Sequence, residues 1–154
     1  MIYLPHKDYF EGILQLRGNF VHLLPWVKDT VKNDARSAIT KEKKVKGGLD
    51  LYFSSQRYLQ ALGKKIKHRW VGVLKVSVRL HTKSKLTQRE LFRVTVLFKA
   101  LPFNKGDVIR YRGEEYQLMN AENKAVLKHV QSGKKIFVSM DDLDKARLVE
   151  PSSE

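Results

Sequence analysis

The amino-acid sequence predicts an α+β chain in two parts. A mixed α/β sandwich with an antiparallel sheet and two helices is expected over residues 1–101, then a small closed β-barrel of about five strands over 103–149, with a tail at 150–154. Three observations carry this expectation. Apolar residues alternate with polar ones across Leu74–Leu80 and Phe92–Phe98, the period of half-buried strands. Tyr58, Leu59, Leu62 and Ile66 recur at spacings of three and four, which places them on one helical face. Charge changes abruptly near Leu101-Pro102-Phe103-Asn104-Lys105-Gly106: residues 1–101 hold 21 basic and 7 acidic side chains, whereas residues 102–154 hold 9 of each.

The elements follow in order. Tyr9 to Arg17 reads as a strand with Phe10, Leu14 and Leu16 on one side and Glu11, Gln15 and Arg17 on the other, ended by Gly18-Asn19. From about Leu24 to Asn33, Trp26, Val27, Thr30 and Val31 share a helical face, and Pro25 suits a first turn, where its missing N–H is harmless. The basic run Lys41–Lys46, the break at Gly47-Gly48 and Leu49–Phe53 predict a hairpin. Ser54 or Ser55 then caps the second helix, from which Lys64, Lys65, Lys67 and His68 project. The two alternating strands pair antiparallel around a loop at Thr82–Thr87, with their apolar sides inward. Beyond residue 102, short β-type runs at 107–111, 116–119, 125–129 and 135–138 are separated by the Arg112-Gly113 and Ser132-Gly133 turns.

Composition removes several functional classes. With 42% hydrophobic residues the chain has enough apolar content to fold, and its longest uncharged apolar run, Asn19–Val27, is far shorter than the ~20 residues that span a bilayer. The absence of cysteine excludes disulfides and thiolate metal sites, and the N-terminus has no signal-peptide layout, so the chain reads as cytoplasmic. His6, His22, His68, His81 and His129 lack the spacing of metal ligands, and no metal or cofactor is expected. Asp141, Asp142 and Asp144 lack the glycine and terminal glutamate of a calcium loop and read as a solvated turn or helix start. Gly47-Gly48 is not a phosphate loop, and Ser54-Ser55 has no base at motif spacing, so no enzyme activity is expected.

What remains is charge. Residues 41–99 hold 16 basic and 3 acidic side chains, in a well-patterned segment and not a frayed tail, which points to a folded surface that meets a polyanion. The strand pair is expected to present Lys75, Arg79, His81, Arg93 and Lys99 outward, with Lys83, Lys85 and Arg89 at its turn and only Glu90 as local relief. Such repulsion across strands calls for external counter-charge. Lys41, Lys43, Lys44 and Lys46 and the helix residues Lys64, Lys65 and Lys67 extend the same sign, and an RNA backbone would bind them with release of counterions. The plainer reading is a solvated basic surface. Tyr52 is a candidate for base stacking, while Phe53, Tyr58, Trp26 and Trp70 read as core or rim packing.

Specific words add a resemblance. Lys46-Gly47-Gly48-Leu49-Asp50-Leu51-Tyr52-Phe53-Ser54-Ser55-Gln56-Arg57-Tyr58, Val76–Thr82 and Phe92–Val96 resemble the large ribosomal subunit export adaptors, also called the nonsense-mediated-decay-three family, and look most like its archaeal branch. Tyr9–Gly18 and Pro102–Ile109 extend the similarity. The resemblance implies a non-catalytic adaptor that binds the new large subunit on its subunit-joining face, reaching toward the mobile stalk, in late maturation. It also implies that the second part is an SH3-like β-barrel. The family normally begins with paired Cys-x-x-Cys zinc motifs; this chain has none, so that module is expected to be split onto a separate zinc-bearing chain, trimmed or lost. The chain stops before any export signal, so nuclear export is not expected.

The function expected is therefore a monomeric ribosome-binding factor whose residues 1–101 dock on rRNA and whose 103–149 unit meets a ribosomal protein or a tRNA site. The rivals are a general RNA-binding translation or RNA-chaperone module and a scaffold for acidic protein partners. The reading requires the three basic segments to converge on one side.

Overall fold

A computed structural model describes residues 7, 9–83 and 90–149. The elements of the first part are β1 (Gly12–Gly18), α1 (Leu24–Lys32), β2 (Ile39–Val45), β3 (Gly48–Phe53), α2 (Gln56–Arg69), β4 (Gly72–Lys83) and β5 (Glu90–Ala100). They form a five-stranded sheet in the order β2-β3-β1-β5-β4. The expected antiparallel sheet is corrected in one place: β1 pairs with β5 in parallel, because β1 fills the centre of the sheet and α2 carries the chain across to the far edge before the β4–β5 hairpin returns. The sheet is mixed.

Both helices begin as their residues dictate. Pro25 occupies the first turn of α1, and the Ser55 hydroxyl caps α2 by accepting the Tyr58 backbone N–H at 3.2 Å. Lys67, His68 and Arg69 fall in the last turn of α2, where positive charge suits the helix dipole. Leu59, Leu62 and Ile66 of α2 and Val27 and Val31 of α1 pack on Leu14, Leu16, Leu51, Phe53, Val94, Val96 and Phe98. Each fully buried side chain of this size contributes about 1.5–3 kcal/mol. At Gly12 a Cβ would lie 2.5 Å from Leu59 Cδ2 and 2.8 Å from the Val94 carbonyl oxygen, so the bare backbone is what lets α2 and β5 approach β1 here.

The apolar side chains of the hairpin share the inner side as expected, but not all of them are covered. Val76, Val78, Leu80 and Phe92 share the helix side of the sheet by register but are 49%, 57%, 51% and 43% exposed. A 14-residue helix spans about 21 Å while a 12-residue strand runs about 40 Å. Helix α2 lies over Leu74 and Val96, and beyond Val94, the last β5 residue paired with β1, the two strands β4 and β5 continue as a ribbon whose apolar side chains are exposed.

The second part comprises β6 (Val108–Tyr111), β7 (Glu114–Ala121), β8 (Ala125–His129), β9 (Lys135–Val138), α3 (Met140–Leu143) and β10 (Arg147–Leu148), in the sheet order β10-β6-β7-β8-β9. No ladder joins β9 to β10 among the described residues, so hydrogen bonding does not close this sheet into the expected barrel. Its core of Phe103, Ile109, Leu118, Leu127 and Leu143 also takes in Val71 and Val73, which precede and begin β4. The Leu101 backbone N–H donates to the Val71 carbonyl at 3.0 Å. The second unit is thus seated on the base of the hairpin.

Candidate nucleic-acid interface

Cross-strand partners project on the same side of a sheet, so the register sorts the basic residues by face. Lys41, Tyr52, Ile13, Thr95 and Ser77 form one row across all five strands. Lys43, Asp50, Gln15, Leu97 and Lys75 form the next. A third runs Val45, Gly48, Arg17, Lys99 and Val73. Arg79 stands directly opposite Arg93 at the far end. All of these lie opposite the side that holds Leu14, Leu16, Leu51, Phe53, Val94, Val96 and Phe98, and therefore on the face turned away from α1 and α2.

Several cations on this face are already engaged. Arg17 donates to Asp50 at 2.8 Å. Lys75 pairs with Asp141 at 3.2 Å and Lys99 with Asp144 at 2.8 Å, so part of the acidic trio of the second unit clamps the base of the hairpin. Asp141 and Asp142 also occupy the first turn of α3, and Asp142 faces Lys145 at 3.6 Å. Lys43 and Arg79 form no ion pair among the described residues, and both are exposed.

Arg93, which faces Arg79 across the strands, has an aromatic neighbour. The Arg93 guanidinium lies 3.8 Å from the centre of the Phe10 ring. Phe10 meets Tyr52 edge to face with ring centres 4.8 Å apart, and Lys41 Nζ lies 5.3 Å from the Tyr52 ring. Sequence alternation had put Phe10 with Leu14 and Leu16. The strand begins only at Gly12, so the alternation does not reach back to Phe10, and its ring lies over the other face against Tyr52 and Arg93. A signal was present in the Tyr9-Phe10-Glu11-Gly12 word, where a glycine two residues on interrupts the side-chain pattern.

Beside this cluster Glu11 accepts from the Tyr9 hydroxyl at 2.6 Å and from the Gln56 backbone N–H at 2.9 Å, tying the entry of β1 to the start of α2. Burial, with the Glu11 carboxylate alongside, pushes the Tyr9 phenol up to about 12.

The remaining basic residues do not join the face. Lys44 pairs with Leu49 and so projects on the helix side, where Glu42 meets Lys28 at 2.9 Å; Lys46 sits at the β2–β3 turn, where Gly47 has φ +79°. Lys64, Lys65 and Lys67 lie on α2, in the layer behind the sheet. Lys64 and Lys67 line a shallow pocket at the β4 edge with His68, Leu74, Glu122 and Asn123, and His68 reaches Glu122 at 3.2 Å. Lys65 acts instead on Asp34, whose carboxylate Arg36 holds down at about 2. The three basic segments therefore do not converge as expected: α2 must turn its apolar stripe to the sheet, so its lysines are carried to the opposite side, and the candidate interface narrows to β2 and the β4–β5 hairpin, with Lys41, Lys43, Arg79 and Arg93. His81 and Lys83 belong to β4 by their backbone, His81 within the register shift between Leu80 and Thr82 and Lys83 just beyond it. Their side chains, and Lys85 and Arg89 entirely, lie outside the described residues.

Phe53 and Tyr58 are buried, as expected of core residues, and Trp26 and Trp70 pack edge to face at 5.1 Å with Arg69 over both. Among the described residues no group of three or more His, Asp or Glu is placed to hold a metal ion.

Residues 9–99, more than half of the chain, match the family model described as NMD3, second domain. No curated protein matches the chain.

Proposed function

The chain belongs to the NMD3 family, whose role is in ribosome biogenesis with the large subunit, and from that premise we propose a non-catalytic, archaeal-type adaptor that docks on large-subunit rRNA. Docking is at the subunit-joining face, in the cytoplasm, late in maturation. One observation supports this most: the face turned away from α1 and α2 carries Lys41, Lys43, Arg79 and Arg93 beside carboxylates that are already committed, Asp50 to Arg17 and Glu11 to Tyr9 and Gln56. Phosphate contacts from these cations position the protein and carry little base specificity. The second unit, read as SH3-like, then faces a ribosomal protein or a tRNA site. Sedimentation of the purified protein with ribosomal particles tests the reading. It should co-migrate with free large subunits, be excluded from joined ribosomes and dissociate steeply as salt rises. Failure to co-migrate at low ionic strength would overturn it.

A scaffold for protein partners is the second reading, favoured by the exposed apolar ribbon of Val76, Val78, Leu80 and Phe92; acidic partners would meet the basic face instead. Nuclease digestion of a pull-down separates the two, since a protein partner survives loss of the RNA.

A further inference from the structure

We propose that Phe10, Tyr52 and Arg93 form a stacking seat for an unpaired RNA base, flanked by Lys41 and Arg79 as phosphate contacts. This rests on the RNA-binding reading above and specifies which form of RNA the face selects.

Phosphate binding alone needs cations and no aromatic rings. Here two rings stand in the middle of the cationic face: Phe10 and Tyr52, 4.8 Å apart and at 80° to one another. Both are half-buried, so each combines a fixed position with an accessible surface. Tyr52 is held in β3, which is paired on both sides, by β2 and by β1, so little further order is required when a ligand arrives.

The Arg93 contact adds a second planar surface. At 3.8 Å the guanidinium is stacked on one side of Phe10, and a guanidinium plane is itself a surface on which a base can stack. Lys41, 5.3 Å from the Tyr52 ring, supplies positive charge on the opposite flank, from β2. A strand of RNA crossing from β2 to the hairpin would thus meet Lys41, the two rings, and then Arg93 and Arg79 in succession. Paired bases in a duplex turn only their edges outward, whereas a single strand can splay a base onto these surfaces. The occupant that fits is single-stranded RNA.

The test compares a short labelled RNA lacking self-complementarity with the duplex it forms on annealing, titrated with the intact chain at fixed salt and followed by fluorescence anisotropy. Wild type should prefer the single strand by about tenfold or more, the scale of one stacked base. Phe10→Leu with Tyr52→Leu retains apolar bulk but removes both π-faces. This variant should lose the preference while keeping duplex affinity and the dependence of binding on salt. An unchanged circular dichroism spectrum and unfolding midpoint exclude loss of fold as the cause, and a single strand carrying abasic sugars should bind wild type and variant alike. If wild type binds single strand and duplex equally, or the variant keeps the preference, the seat is wrong while phosphate docking stands. If wild type binds neither RNA, the docking reading itself fails and the seat with it.

Discussion

The two five-stranded sheets handle charge in different ways. In the first, two helices cover one face and the other is left with cations, of which Lys43 and Arg79 have no ion-pair partner among the described residues. In the second unit, opposite charges are neighbours: Arg110 meets Glu115 at 3.3 Å and Lys145 lies 3.6 Å from Asp142. Two acids of the second unit, Asp141 and Asp144, are spent on Lys75 and Lys99 of the first. Formal charge therefore overstates the surface offered to a polyanion. Of the described cations on the hairpin, Lys75 and Lys99 near its base are compensated by the second unit, and Arg79 and Arg93 farther along have no ion pair among the described residues.

The largest expected contrast between the sheets is in packing. Phe98 is fully buried beneath the helices of the first sheet, and Phe98→Ala should cost about 3–5 kcal/mol in denaturant unfolding. Phe137 in the second sheet is 68% exposed, and Phe137→Ala should stay within about 0.5 kcal/mol. Equal losses would mean that α1 and α2 are not what separates the two sheets.

Charge reversal is the next test. Arg79→Glu with Arg93→Glu should lower RNA affinity about tenfold or more and reduce the slope of log affinity against log salt by about 2, one per lost phosphate contact. Arg110→Glu with Lys128→Glu changes the same formal charge on exposed positions of the second sheet and should leave that slope unchanged. Similar responses to both pairs would show that net charge, not the face turned away from α1 and α2, governs binding.

A smaller effect sharpens the comparison. Asp141→Asn with Asp144→Asn releases Lys75 and Lys99 from exposed ion pairs, which are worth about 0–1 kcal/mol in stability. Unfolding should shift by no more than that, while RNA binding should tighten by a few-fold and its salt slope should steepen. Unchanged binding would place the base of the hairpin outside the RNA footprint.

Much of this molecule was legible before any coordinates. Leu59, Leu62 and Ile66 announced the buried stripe of α2, Ser54-Ser55 its cap, and Gly47-Gly48 the hairpin between β2 and β3. The short runs after Gly106 foretold β6 to β9, although the two-residue β10 was too brief to leave a periodic signal. Phe10 was misplaced because an alternation ending at Gly12 was extended two residues too far. The apolar residues Val76, Val78 and Leu80 were assigned to the interior because period two reports which residues share a side, not whether anything lies against it.

By itself the sequence determined where most strands and helices form, which side chains alternate together within them, and that the positive excess ends near Leu101. Those are local properties, set by periods of two and 3.6 residues, by caps and by composition. Only the tertiary structure decided that the lysines of α2 lie behind the sheet, that Asp141 and Asp144 neutralise Lys75 and Lys99, and that Phe10 joins Tyr52 and Arg93. These depend on distances between residues far apart in the chain, and electrostatic and stacking energies fall off with that distance whatever the separation in sequence.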